Sequence, residues 1–271
     1  MIRRRGFEAA LIVPMTLGAA LFLVKLVRPT LVSHGVWADP QPLRWACVLK
    51  LAFLLFGGLV ALRNCGRLES GNPIRPAWLN LSLGLLSSFL GQASLAPYQF
   101  SKTGEAPFPS IADLFFIAGY PFFLVSLFHF LRAYAASGYA LGSARERRVV
   151  AALVSVVCVA IGAVVLWPVL RTPAPSLARF LNVAYPVLDL ALLVPTVLLL
   201  RAALPLRGGE VWQSWAALLA GFLFMSAGDV SFAYFQSLGV THVDPLVHAT
   251  FLLSYGFLAL GVVRQYRLLA S

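Results

Sequence analysis

Apolar residues run through this chain in eight long blocks, at residues 7–28, 44–63, 76–98, 110–134, 147–170, 177–203, 211–237 and 245–267. About 20 helical residues at 1.5 Å each span a hydrocarbon layer of about 30 Å. Each block is therefore predicted to be one membrane-spanning helix, and the fold class is all-α: a polytopic membrane protein with eight transmembrane helices. Arg3, Arg4 and Arg5 before the first block resemble the basic start of a signal peptide. The apolar run behind them is long, lacks a small-residue cleavage site and has a counterpart later in the chain, so it is retained as a helix.

The pattern occurs twice. Trp78 to Gln99 aligns without a gap on Trp215 to Gln236. Trp78/Trp215, Gly84/Gly221, Gly91/Gly228, Ser94/Ser231 and Gln99/Gln236 are identical pairs. AALIV at 9–13 lies over AALVS at 151–155, and VLKLA at 48–52 over VLDLA at 187–191. Residues 1–137 and 138–271 are thus expected to form two four-helix repeats within one membrane unit. Because four is even, both enter the membrane from the same side, which makes them parallel repeats about an axis along the membrane normal.

Charge changes the picture by giving the predicted bundle an orientation. Only 11% of residues are charged against 60% hydrophobic, and the formal net charge is +11. The basic residues lie between apolar blocks, so topology accounts for them better than nucleic acid, which is excluded as a partner. Fourteen Arg flank the two termini and every second connection, against six basic residues at the opposite ends. The positive-inside rule then puts both termini in the cytoplasm of a bacterial inner (cytoplasmic) membrane. The outer connections carry His34, Trp37 and Asp39, and Lys102 and Glu105.

Candidate chemistry comes from polar groups inside the apolar blocks, which cost several kcal/mol unless paired or wetted (~2.5–3.5 for a charge at a helix centre). Lys50, Gln92, Asp189 and Asp229 stand out. Lys50 and Asp189 hold equivalent repeat positions, as do Gln92 and Asp229, so Lys50 is expected to pair with Asp189 or Asp229. All four fall toward the outer half or midplane, which points either to a structural network or to a ligand-binding cavity open to the outside. Tyr120, Tyr185 and Tyr255, each followed by Pro or Gly, lie mid-block and complete the candidate cavity together with His248. Asp113 and Asp244 fall near helix starts, where a capping role is expected. Asp244 and His248, one turn apart, are candidates for a hydrogen bond.

No catalytic constellation appears. Cys47, Cys65 and Cys158 form no metal spacing, and Cys47 and Cys65 lie about 27 Å apart along one helix. His129 and His248 fall at different depths, against a shared haem. No nucleotide, serine-hydrolase or zinc-protease motif is present, so no cofactor, metal or enzymatic activity is predicted.

Pro109 to Arg132, PSIADLFFIAGYPFFLVSLFHFLR, has the pattern Pro-Ser-x-Ala-Asp, an aromatic run, then Tyr-Pro. Together with Tyr185-Pro186-Val187-Leu188-Asp189-Leu190 it resembles the membrane-embedded N-terminal sensory regions of bacterial GGDEF/EAL and histidine-kinase signalling proteins. The resemblance implies a sensor that passes a signal inward. No output domain follows Arg267 in this chain, so a separate signalling protein or membrane complex is expected as partner beside the lipid bilayer. A small-solute transporter or carrier, and a structural subunit of a membrane complex, are the alternatives.

Overall fold

In a hydrocarbon layer the backbone must satisfy its own hydrogen bonds, and an apolar chain without strand pairing does so as helices. The computed structural model describes residues 2–28, 41–101, 106–136, 143–173, 175–240 and 242–269, without the side chains of 2–5 and 7. His34, Trp37, Asp39, Lys102 and Glu105 lie outside the described residues, as does the 137/138 boundary between the expected repeats. The helices are α1 (Ile2–Val27), α2 (Gln41–Gly66), α3 (Arg75–Gln99), α4 (Ile111–Ala136), α5 (Ala144–Arg171), α6 (Ser176–Ala203), α7 (Glu210–Ser237) and α8 (Asp244–Leu268). All eight are long and apolar enough to cross a membrane. Several extend a few residues beyond their apolar block, because polar ends such as Arg63 and Arg75 can continue the helix where water and headgroups begin.

Local chemistry sets several ends. Ser143 caps α5 in a reciprocal capping box: its hydroxyl accepts from the Glu146 N–H, and the Glu146 carboxylate accepts from the Ser143 N–H. Gly239, with φ of 68°, ends the turn after α7 in the left-handed region that favours glycine. Pro121 and Pro186 lie inside α4 and α6, which run unbroken through them.

Six helices pack edge to edge in a closed cycle, α2–α3–α4–α6–α7–α8 and back to α2. The other two are satellites: α1 lies mainly against α8, and α5 against α6 and α7. Burial follows this plan. In α8, 72% of the apolar window is buried, against 17% in α5. The exposed Leu153, Val156, Val159 and Trp167 of α5 form a lipid-type surface.

Glycine and small polar residues hold the cycle closely, as expected where lipid removes the hydrophobic drive between helices. A Cβ on Gly84 would stand 2.5 Å from Phe123, and one on Gly91 2.8 Å from Phe116, joining α3 to α4. Gly221 meets Leu258 and Gly228 meets Thr250 and Phe251 in the same way, joining α7 to α8. The Ser126 hydroxyl donates to the Ala77 carbonyl at 2.8 Å, and the Asn64 amide to the Val262 carbonyl at 3.1 Å.

At the end carrying both chain termini, hereafter the terminal end, the centre of the cycle is filled. Phe130 meets Trp215 edge-on with centroids 4.7 Å apart and Trp78 at 5.1 Å, and Tyr134 packs edge-on against Trp215. Phe123 meets Phe222 at 5.4 Å one layer above. Edge-to-face aromatic packing of this kind fills the centre of that half. Glu8 fastens the satellite α1 there: its carboxylate accepts from Arg264 at 3.0 Å and from Arg267 at 2.6 Å.

Candidate site: a polar cavity within the helix cycle

Above the aromatic layer the cycle opens into a cavity of about 470 Å³, the size of small-molecule pockets. It is lined by all six helices of the cycle and by the α3–α4 connection around Phe108, so it reaches the end of the bundle opposite the termini. Neither α1 nor α5 contributes. The walls combine aromatic rings, Phe116, Phe232 and Phe251 among them, with polar and ionisable side chains.

Seven of the eight residues singled out from the sequence line this cavity: Lys50, Gln92, Tyr120, Tyr185, Asp229, His248 and Tyr255. Asp189, the eighth, does not. It is 0% exposed, and neither carboxyl oxygen makes a hydrogen bond. Tyr120, Asp229 and Ser226 are its polar neighbours, and the Ser226 hydroxyl reaches the Asp189 backbone carbonyl at 3.3 Å.

The acidic side is organised by tyrosines. The Tyr120 hydroxyl of α4 donates to Asp229 Oδ2 of α7 at 2.9 Å. The Tyr185 hydroxyl of α6 donates to Asp113 Oδ1 at 2.8 Å. Asp113 also accepts the Ser110 N–H at 2.7 Å, so its capping role is real but incomplete as a description. It caps α4, holds α6 and lines the cavity at once. Both segments that carry the family resemblance meet in this Tyr185–Asp113 bond.

The opposite side holds Lys50. It is 3% exposed, lines the cavity, and among the described residues has no carboxylate within ion-pair distance. The expected pairing with Asp189 or Asp229 is therefore corrected. The reason is geometric: α2 and α6 stand across the cycle from each other, and α2 and α7 are separated by α8, so equivalent repeat positions face one another across a space. The polar neighbours of Lys50 are Cys47, one turn earlier, and His248. Gln92 is engaged beside them, donating to Gln99 Oε1 at 3.0 Å and contacting Cys47 Sγ at 3.6 Å. The anticipated Asp244–His248 hydrogen bond is also absent. His248 Nδ1 has no partner, and its ring packs on Phe22 of α1 at 5.5 Å.

Asp113 and Gln99 were not singled out as site residues. A signal existed: Asp113–Tyr120, His248–Tyr255 and Gln92–Gln99 are each seven residues apart, which returns a helical side chain to nearly the same face. Among the described residues no group of His, Cys, Asp or Glu is arranged to hold a metal ion. The arrangement supplies one cation, a separated set of carboxylates, tyrosine hydroxyls and aromatic walls, which suits binding. Comparison of the chain with family models, with curated proteins and with solved structures finds no match.

Proposed function

We propose that this protein is a ligand-binding sensor of the bacterial inner membrane, whose cavity opens on the outer face and which signals through a separate partner. The observation that carries the reading is the one-ended cavity: Lys50 and Asp229 both line it and do not meet. Groups that served only to hold the halves together would be expected in contact, whereas Lys50 and Asp229 are held apart by α8 and the space itself. The α8 helix connects the cavity, at His248 and Tyr255, to the terminal end at Arg264 and Arg267, and so supplies a physical route for a signal.

The two-repeat architecture belongs to the same proposal. Its support is the contact register. Gly84 with Phe123 and Gly91 with Phe116 in the first half correspond to Gly221 with Leu258 and Gly228 with Phe251 in the second. Exchanging α2 with α6, α3 with α7 and α4 with α8 returns the same cycle of neighbours. The satellites depart from it, since α1 leans mainly on α8 whereas α5 leans mainly on α6, with α7 rather than α4 as its second neighbour.

A small-molecule library screened by thermal shift on the purified full-length protein tests the sensor reading. A ligand that raises the melting temperature, and whose effect is lost on blocking the cavity with Phe116→Trp, is the expected result. The carrier alternative draws on the buried Asp189, which stands beside the cavity-lining Asp229. Reconstituted vesicles should show no net uptake of that ligand if the protein is a sensor, and accumulation if it is a carrier.

A further inference from the structure

Resting on the binding-site reading above, we propose that the cavity takes a small zwitterion whose two charges stand at opposite ends of an apolar body, a molecule of the ω-amino-acid kind. Its anionic end would meet Lys50 and its cationic end Asp229.

Lys50 carries the first half. A lysine 3% exposed and, among the described residues, without a carboxylate partner in a membrane-spanning helix is a charge waiting for a counter-ion, and the cavity is the space it lines. Asp229 carries the second half. It lines the same cavity and takes one hydrogen bond, from Tyr120, which leaves acceptor capacity for a ligand. Asp113 is less available, since Tyr185 and Ser110 already occupy both its oxygens.

The two poles stand on helices separated by α8, and Phe116, Phe232 and Phe251 line the same cavity. A singly charged ligand would compensate one pole and leave the other uncompensated in a low-dielectric space. A zwitterion satisfies both with no net charge brought into the membrane, and an apolar body fills the aromatic remainder. The 470 Å³ volume admits a molecule of that size.

4-(Aminomethyl)phenylacetate, 4-methylphenylacetate and 4-methylbenzylamine share one body and differ only in their charged ends, so calorimetric titration of the purified full-length protein with each tests the proposal. The zwitterion should bind at least about tenfold more tightly than either singly charged probe. Lys50→Gln should remove the advantage over 4-methylbenzylamine, Asp229→Asn should remove the advantage over 4-methylphenylacetate, and Lys50→Arg should retain zwitterion binding. Gel filtration verifies that each variant is folded, and Lys50→Met serves if Lys50→Gln is not. Equal binding by a singly charged probe, indifference to both substitutions, or no binding of any probe overturns the zwitterion site. In those cases the sensor reading survives if another library compound binds in the cavity, and falls with the proposal if none does.

Discussion

Lys50 shows how far one residue's meaning depends on what surrounds it. From the sequence, its alignment with Asp189 made an internal ion pair the economical solution, and removing it would then have left an acid unpaired. With no acid in ion-pair reach among the described residues, the sign reverses. Lys50→Met should stabilise the ligand-free protein, by about 1–3 kcal/mol, since a buried charge is removed and no partner is orphaned. Thermal denaturation in detergent reads this directly, and a lowered melting temperature would mean that Lys50 has a partner after all. The tyrosines give a matched pair of outcomes. Tyr120→Phe removes the donor to Asp229 and should cost about 1–3 kcal/mol. Tyr255→Phe, whose hydroxyl makes no hydrogen bond among the described residues, should lie within about 0.5 kcal/mol of the parent protein. The polar candidates were legible because a charge or amide in an apolar block has few uses. Which of them touch was not, because contact depends on helix order around the cycle, and periodicity carries no information about that. Glu8 illustrates the same limit: its two arginine partners are more than 250 residues away in sequence.

Helices were the most legible elements, since length and apolar content alone decide whether a segment can span a bilayer. Their packing rests on glycines whose identity the repeat had flagged at positions 84, 91, 221 and 228. The least forgiving close approach is at a glycine the repeat did not flag. A Cβ on Gly261 would stand 2.8 Å from the Leu218 backbone nitrogen and 2.9 Å from the Ser214 carbonyl oxygen, atoms that cannot rotate away. Gly261→Ala should therefore separate α8 from α7 and cost about 2 kcal/mol or more. Gly71→Ala, with nothing within 4 Å of the new Cβ, should be neutral in the same denaturation experiment. Equal effects of the two would contradict this packing. The satellite positions of α1 and α5 were not legible: both are uniformly apolar, and a lipid-facing surface reads like a packed one when the solvent is itself hydrocarbon.

At the scale of the whole molecule, the helix cycle is packed at its terminal end by Trp78, Phe130, Tyr134 and Trp215 and hollow at the other. In the proposed orientation the arginine-rich terminal end faces the cytoplasm, and the cavity then opens outward. Single-cysteine accessibility in intact cells tests this most directly, in a background with Cys47, Cys65 and Cys158 replaced by alanine. Ala106, exposed and lining the cavity, and Ser70, exposed in the turn between α2 and α3, report the two ends. With a membrane-impermeant maleimide, Ala106→Cys should label in intact cells and Ser70→Cys only after permeabilisation. Labelling of Ser70→Cys from outside, with Ala106→Cys protected until the membrane is opened, would contradict an outward-facing site.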